Sequence, residues 1–146
     1  MKNFLFIILL LTFGYTQSWS NNYIYEQYDN SVVRVECYRN DKLYSSGTGF
    51  IVKDNGTIVT NFHIIEGADK INIITIDETI IEVNHYYVIN KPKDYAILKA
   101  TGSNMPSVIL GNSNNINIGS DIMVIGHPLG LSFTLTTGII SQIGAN

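Results

Sequence analysis

Residues 49–60 read Gly-Phe-Ile-Val-Lys-Asp-Asn-Gly-Thr-Ile-Val-Thr, and this stretch sets the expectation for the fold. Runs rich in aromatic and β-branched residues flank the triplet at 54–56, whose composition is typical of turns. An Asn-Gly pair supplies the positive φ angles that a tight hairpin requires. The stretch therefore predicts antiparallel strands at 49–53 and 57–60 joined by a turn.

The rest of the chain repeats this pattern, with short runs of Ile, Val, Thr and Tyr separated by Gly, Asn and Asp. Further strands are predicted at residues 32–38, 70–76, 79–89 and 95–100. Residues 61–67 are too few for an ordinary helix and predict a single helical turn that ends at a glycine. About six strands before residue 101 suffice to close a small barrel, whereas an open sheet would expose hydrophobic edges. The expected fold class is therefore all-β.

A second β region is predicted after a connection. Residues 101–119 are rich in Gly, Ser and Asn and contain Pro106, which is typical of a connecting segment. A strand at 121–125, a turn at 126–130 and an alternating strand at 131–135 are expected to follow.

The first twenty residues have the features of an export signal. Lys2 supplies the positive end, residues 4–13 are almost wholly apolar, and small residues precede position 21. A membrane-spanning helix needs roughly 20 apolar residues, and this run is about half as long. We therefore expect residues 1–20 to be a cleaved signal and residues 21–30 an N-terminal segment. The protein would be secreted or lie in the periplasm or cell envelope, without a stable membrane span.

The composition and net charge of the chain indicate which kinds of partner are disfavoured. Hydrophobic residues make up 45% of the chain and charged residues 14%, which is enough apolar material for one globular core. Cleavage after residue 20 would leave eight basic and twelve acidic side chains, a formal charge of about −4. Such a charge does not attract nucleic acid or an anionic membrane, so both are disfavoured as partners.

Cys37 is the single cysteine of the chain, which excludes an intramolecular disulfide and a cysteine-based zinc site. It alternates with Val33 and Val35, while Arg34 and Glu36 point the other way. Nothing nearby in sequence would lower the pKa of its thiol. Cys37 is therefore expected to be a core thiol, and a reactive or intermolecular thiol is the alternative.

The histidines are the candidates for chemistry. His63, His85 and His127 lie too far apart for helical zinc motifs, so no metal or other cofactor is predicted. His63 follows a strand end, where a barrel can present an imidazole to a cleft. Asp94 opens an apolar strand 31 residues later, and a general-base histidine needs a carboxylate to fix its tautomer. From these two residues alone, a surface aspartate and a partly buried histidine are the simpler interpretation; His85 and His127 are expected to be solvated or hydrogen-bonded.

Longer motifs change that interpretation. They are Ser-Gly-Thr-Gly-Phe-Ile-Val at 46–52, Gly-Thr-Ile-Val-Thr-Asn-Phe-His-Ile-Ile-Glu-Gly-Ala-Asp at 56–69, Lys-Asp-Tyr-Ala-Ile-Leu-Lys at 93–99, Gly-His-Pro-Leu-Gly-Leu at 126–131 and Thr-Gly-Ile-Ile-Ser at 137–141. With these motifs in this order, the chain resembles the trypsin-like serine endopeptidases over residues 30–144. Within that family it resembles the HtrA-type branch. The ordered set is far more specific than any single motif.

This resemblance implies two perpendicular six-stranded β-barrels with the active site in the cleft between them. His63 matches the general base of the family, and Asp94 matches the carboxylate that orients it. Gly47 and Gly49 match glycines of an early strand, where we expect close approach of neighbouring atoms to the backbone rather than a catalytic role.

The family's nucleophile lies in a Gly-Asn-Ser-Gly-Gly-Pro segment that these 146 residues do not contain. Gly-Asn-Ser at 111–113 copies its first three residues, but two asparagines follow, and the stretch falls in the predicted connection. Ser113 is therefore expected to lie in a loop turn. Two of three triad positions are present without the nucleophile or the oxyanion donors, so this chain alone is expected not to cleave peptides.

Two functions are open. In the first, the chain is the amino-terminal part of an exported HtrA-type serine endopeptidase acting on unfolded or misfolded proteins. Residues 31–112 would form the first barrel, and residues 113–146 the linker and first strands of a truncated second barrel. In the second, it is a naturally short, non-catalytic β-barrel protein that binds peptides or a partner. Apolar strands at 121–144 without a complete second barrel favour the first; homo-oligomer formation is left open.

Overall fold

The computed structural model describes residues 21–127 and 133–144. Its helices and strands are α1 (Asn21–Tyr28), β1 (Val32–Arg39), β2 (Lys42–Lys53), β3 (Thr57–Thr60), α2 (Phe62–Ile65), β4 (Lys70–Ile74), β5 (Ile80–Asn90), β6 (Tyr95–Ala100), β7 (Asp121–Gly126) and β8 (Thr134–Ile139). The predicted export signal lies outside the described residues, as do positions 128–132. Within the described part, no helix has the length and apolar character needed to cross a bilayer.

The strands β1 to β6 form a closed barrel in the order β1-β2-β3-β6-β5-β4. All neighbouring pairs are antiparallel, and β1 closes the barrel by pairing with β2 on one edge and with β4 on the other. Closure pairs the strand edges that an open sheet would expose. The prediction of an all-β fold with a barrel formed before residue 101 is confirmed.

The core of the barrel follows from the alternation along β1. Val33, Val35 and Cys37 are each 0% exposed and pack against inward residues of other strands, including Ile58 and Leu98. Fully burying an aliphatic side chain contributes about 1.5–3 kcal/mol. Because Cys37 is a free and fully buried cysteine, the prediction of a core thiol is confirmed. Burial also raises the pKa of this thiol to about 11.

The hairpin turns differ in part from the prediction. At 54–56, only Gly56 has a positive φ, of 85°, whereas Asn55 contributes its Oδ1, which accepts a hydrogen bond from Thr57 Oγ1 at 2.7 Å. The pair of positive φ values expected of a tight hairpin occurs instead between β1 and β2, at Asn40 (50°) and Asp41 (60°). The expected strands at 49–53 and 57–60 are nevertheless paired as predicted.

Four strand boundaries differ from the prediction by two residues or more. β4 ends at Ile74 rather than at residue 76, β8 ends at Ile139 rather than at residue 135, and two strands begin elsewhere. β2 begins at Lys42 rather than at residue 49, because its polar first half pairs with β1 from Arg39↔Lys42 onward. The strand expected at 131–135 is β8, which begins only at Thr134 because Phe133 occupies a turn with φ 48°. The starts of β2 and β8 both depend on contacts that local sequence patterns do not show. In β2 these contacts pair polar residues with β1, and before β8 they hold Phe133 in a left-handed turn.

The hairpin of β7 and β8 forms a separate two-stranded sheet that lies against the barrel and α1. The His127 N–H, just after β7, donates to Thr48 Oγ1 of β2 at 2.8 Å. The Tyr25 hydroxyl of α1 donates to the Phe133 carbonyl at 3.1 Å. These contacts connect the hairpin both to the barrel and to the amino-terminal helix.

Candidate active site

His63 lies on the one-turn helix α2, directly after β3. Phe62 and Ile65 of this helix are 9% and 5% exposed and belong to the barrel core, whereas the side chain of His63 is 63% exposed. The buried neighbours fix the helix to the barrel, and the imidazole between them points outward. The predicted helical turn at 61–67 therefore presents a histidine at the rim of the barrel.

Asp94 reaches the same place from the other side of the β3–β6 pair. These strands are antiparallel with Thr60 opposite Ala96, so the end of β3 lies beside the start of β6. Asp94 precedes β6, with its N–H bonded to the Lys91 carbonyl at 3.1 Å and with φ 50°. The barrel thereby brings together two residues that are 31 positions apart.

The two residues form a close pair. Nδ1 of His63 is 2.6 Å from Oδ2 of Asp94, and the backbone N–H of His63 donates to Oδ1 at 2.9 Å. The pKa of Asp94 lies below its usual value, first because of the backbone N–H of His63, then its imidazole, with a smaller contribution from the Asn61 amide. An ionised Asp94 can only accept, so Nδ1 carries the proton and the lone pair of the neutral ring is on Nε2.

The glycines of β2 support this arrangement. A Cβ atom on Gly47 would lie 2.6 Å from Cδ1 of Ile64, the residue after His63, and a Cβ on Gly49 would lie 3.0 Å from a Val35 methyl. The expected close approach at both glycines is confirmed. Gly47 is the glycine that bears on the site, because it lets β2 pack directly against α2.

Asn61 is a site residue that the sequence did not single out. Its Nδ2 donates to the Asp94 carbonyl at 3.1 Å and to Oδ2 of the same residue at 3.2 Å. The only sequence signal was its position within the Thr-Asn-Phe-His motif. An asparagine before a helix is ordinarily interpreted as a cap, so this signal did not indicate a contact with a residue 33 positions away.

Ser113 lies elsewhere, in an exposed 3₁₀ turn (Ser113–Asn115) of the connection. The turn is stabilised locally, since Asn112 Oδ1 accepts from the Asn114 N–H at 3.0 Å. Across residues 21–127 and 133–144, the His63 side chain makes one hydrogen bond, and its partner is Asp94. The structure thus places Ser113 in a loop turn and His63 beside its carboxylate.

The other histidines have separate environments. His85 is exposed on β5, whereas His127 is 7% exposed. Nδ1 of His127 accepts from the Phe133 N–H at 2.9 Å, and its Nε2 lies 3.5 Å from the Arg34 guanidinium. Burial, and then the positive charge of Arg34, lower the pKa of His127. In the part of the chain that the structure describes, no group of three or more His, Cys, Asp or Glu side chains could hold a metal ion.

Comparison with known proteins gives a consistent result. The family model described as "Trypsin-like peptidase domain" matches residues 47–145. A DegP-like periplasmic serine endoprotease from Halomonas elongata is 38% identical over 99 residues, covering 68% of this chain and 21% of that protein. Its counterpart from Rickettsia conorii is 44% identical over 101 residues, covering 67% and 20%. The chain therefore spans about a fifth of the length of these relatives.

A solved structure agrees with the sequence matches. The crystal structure of the serine endoprotease from Yersinia pestis superimposes with a TM-score of 0.75 at 31% identity, covering 82% of this chain and 45% of that one. The superposition covers 82% of this chain, whereas the barrel strands lie between Val32 and Ala100, which is about half of it. The structural similarity therefore extends beyond the closed barrel.

Proposed function

Because the chain belongs to the trypsin-like peptidase domain family, we propose that it supplies the acid–base part of a serine endopeptidase active site. His63 is the general base, and Asp94 is the carboxylate that orients it. The observation that carries the proposal is the pair of contacts between them, Nδ1 to Oδ2 at 2.6 Å and the backbone N–H to Oδ1 at 2.9 Å. The contact at Nδ1 fixes the tautomer of the imidazole, and the contact at the backbone N–H holds the carboxylate in place beside the same residue.

The roles follow from this geometry. Nε2 of His63 takes the proton of a serine hydroxyl as the oxygen attacks the scissile carbonyl, and it returns the proton to the leaving amine. Asp94 stays ionised and stabilises the imidazolium that forms in between. In this proposal, the attacking serine and the oxyanion donors come from a part of the protein outside the residues described.

The wider setting is proposed on the same basis. Residues 31–112 form the first barrel of the peptidase domain, and residues 113–146 form the linker and the first strands of the second. Export to the periplasm or cell envelope agrees with the signal features of residues 1–20 and with the periplasmic naming of the relatives. The substrates are unfolded or misfolded polypeptides, hydrolysed at peptide bonds.

Casein hydrolysis tests the proposal. The 146-residue chain should give no turnover of unfolded casein, while the protein encoded by the reading frame continued past the Asn146 codon should cleave it. In that longer protein, Asp94→Asn should lower kcat by roughly 10⁴-fold, because the correct tautomer of His63 is lost. His63→Ala should lower kcat by roughly 10⁶-fold, because the general base itself is lost. His85→Ala is the matched control, because this histidine is exposed on β5, and it should leave kcat unchanged.

Three results would contradict the proposal. One is a longer protein whose His63→Ala variant cleaves casein as fast as the parent. Another is a stop codon directly after Asn146 in the native gene, which would favour the non-catalytic, peptide-binding barrel. The third is turnover by the 146-residue chain that survives Ser113→Ala and disappears in His63→Ala.

A further inference from the structure

Asp94 adopts a conformation that requires an explanation. Its φ of 50° lies in the left-handed region, which residues other than glycine seldom occupy, although Asp and Asn tolerate it better than most. In this conformation both carboxylate oxygens reach His63, with Oδ1 at the backbone N–H and Oδ2 at Nδ1. Strained conformations at functional sites persist only when neighbouring groups restrain them.

Asn61 is in position to provide that restraint. It occupies the N-cap position of α2, with φ −73° and ψ 143°, yet its side chain makes no capping hydrogen bond. The cap is supplied instead by Asp94, whose Oδ1 accepts from the His63 N–H near the start of the helix. The Asn61 side chain is thereby left for another use, although Asn is among the preferred N-cap residues.

Among the residues that the structure describes, the Asn61 amide makes two hydrogen bonds, and both go to Asp94. Nδ2 lies 3.1 Å from the Asp94 carbonyl oxygen and 3.2 Å from Oδ2. Both partners are acceptors, so the hydrogen-bond network fixes which end of the amide faces them. One amide group thus connects the backbone and the side chain of Asp94, which opposes rotation of either with respect to the other.

We propose that Asn61 is a positioning residue that restrains Asp94 in its left-handed conformation and keeps the carboxylate on His63. The inference rests on the proposed function, because it assigns a role within the same site. Asn61 does not touch the reacting atoms. Its effect passes through Oδ2, which receives both the Asn61 amide and the His63 imidazole.

Nuclear magnetic resonance of the 146-residue chain tests this without any need for proteolysis. The pKa of the Asp94 carboxyl should rise from the parent to Asn61→Ala, because a donor is lost. It should rise further in Asn61→Asp, where a second carboxylate of equal size faces the first. Hydrogen exchange of the His63 amide should be up to about tenfold faster in Asn61→Ala, which is the effect of weakening one hydrogen bond.

Asn84→Ala is the matched control, since Asn84 is also an exposed asparagine but bonds to Thr101, and it should change neither quantity. The parent chain provides an independent readout, because the Asn61 side-chain amide signals should titrate with the Asp94 carboxyl. The proposal is overturned if Asn61→Ala behaves like Asn84→Ala or if those amide signals do not titrate. Neither result depends on casein cleavage, so failure of the peptidase proposal and failure of this one are distinguishable.

Discussion

At the scale of single residues, Gly47 is where β2 comes closest to the helix that carries His63. A Gly47→Ala methyl would lie 2.6 Å from Cδ1 and 2.8 Å from Cγ1 of Ile64, so that side chain must move. Overpacking of this kind typically costs about 1–3 kcal/mol. We expect urea unfolding of Gly47→Ala to show a loss of that order, together with changed amide shifts at His63. Gly111→Ala is the control because a Cβ there meets nothing within 4 Å, and equal effects of both changes would contradict the prediction.

His127 provides a prediction for pH dependence. Its Nδ1 accepts from the Phe133 N–H and its Nε2 faces Arg34, so an added proton would oppose one donor or the other. The negative charges of Glu78 and Glu36 raise the pKa of the imidazole, but the lowering effects of burial and of the Arg34 charge are larger. In the folded state the pKa of His127 therefore lies below its ordinary value of 6.5. The unfolded chain therefore binds the proton first as the pH falls.

We thus expect the free energy of unfolding to be fully retained above about pH 6.5 and to decrease as the pH falls through that value. Urea titrations between about pH 7.5 and 5.5 measure the free energy of unfolding across this change. The window lies above the pH range in which Asp94 titrates, so that carboxyl does not contribute. His127→Gln should flatten the dependence, whereas His85→Gln, at an exposed histidine, should keep it. A parent profile as flat as that of His127→Gln would refute the role of His127.

The pairing of His63 with Asp94 could be predicted from the motifs, but its geometry could not. The family resemblance named both residues, and the strand pattern placed one at the end of β3 and the other at the start of β6. The left-handed φ of Asp94 and the missing cap of Asn61 depend on contacts more than 30 positions apart. Propensities are local, so they indicate a cap at Asn61 and nothing about its partner.

At the scale of elements, the barrel strands were the predictable part and α1 was not. β1 alternates inward Val33, Val35 and Cys37 with outward polar residues, and that period-2 pattern predicts a half-buried strand. α1 is only eight residues long, and Ile24 and Tyr28, four positions apart on its half-buried side, are too short an apolar stripe to predict a helix. The helix contacts the turn before β8, through Tyr25 and the Phe133 carbonyl. An element stabilised by distant contacts is not visible in its own sequence.

At the scale of the whole molecule, the β7–β8 hairpin has one covered face and one open face, which is exposed except at its Gly126 end beside Thr48 of β2. Met123 and Ile125 are half-buried on the side toward the barrel and α1, whereas Ile122 and Val124 are 38% and 55% exposed on the other side. Within the described residues, each of these strands pairs only with the other. A two-stranded sheet with an exposed apolar face favours association with further protein surface.

Sedimentation velocity over a range of concentrations tests this expectation. The 146-residue chain should self-associate through the open face of the hairpin. The double change Ile122→Lys and Val124→Lys should weaken this association at least about tenfold. The reason is that burying a single aliphatic side chain contributes roughly 1.5–3 kcal/mol. Leu43→Lys is the control: Leu43 is 57% exposed beside the β1–β2 turn, whereas the hairpin contacts β2 at Thr48, so this variant should associate like the parent. A chain that stays monomeric and unfolds cooperatively at every concentration would show that the open face is stable in water, and the argument from exposed strand edges would then fail.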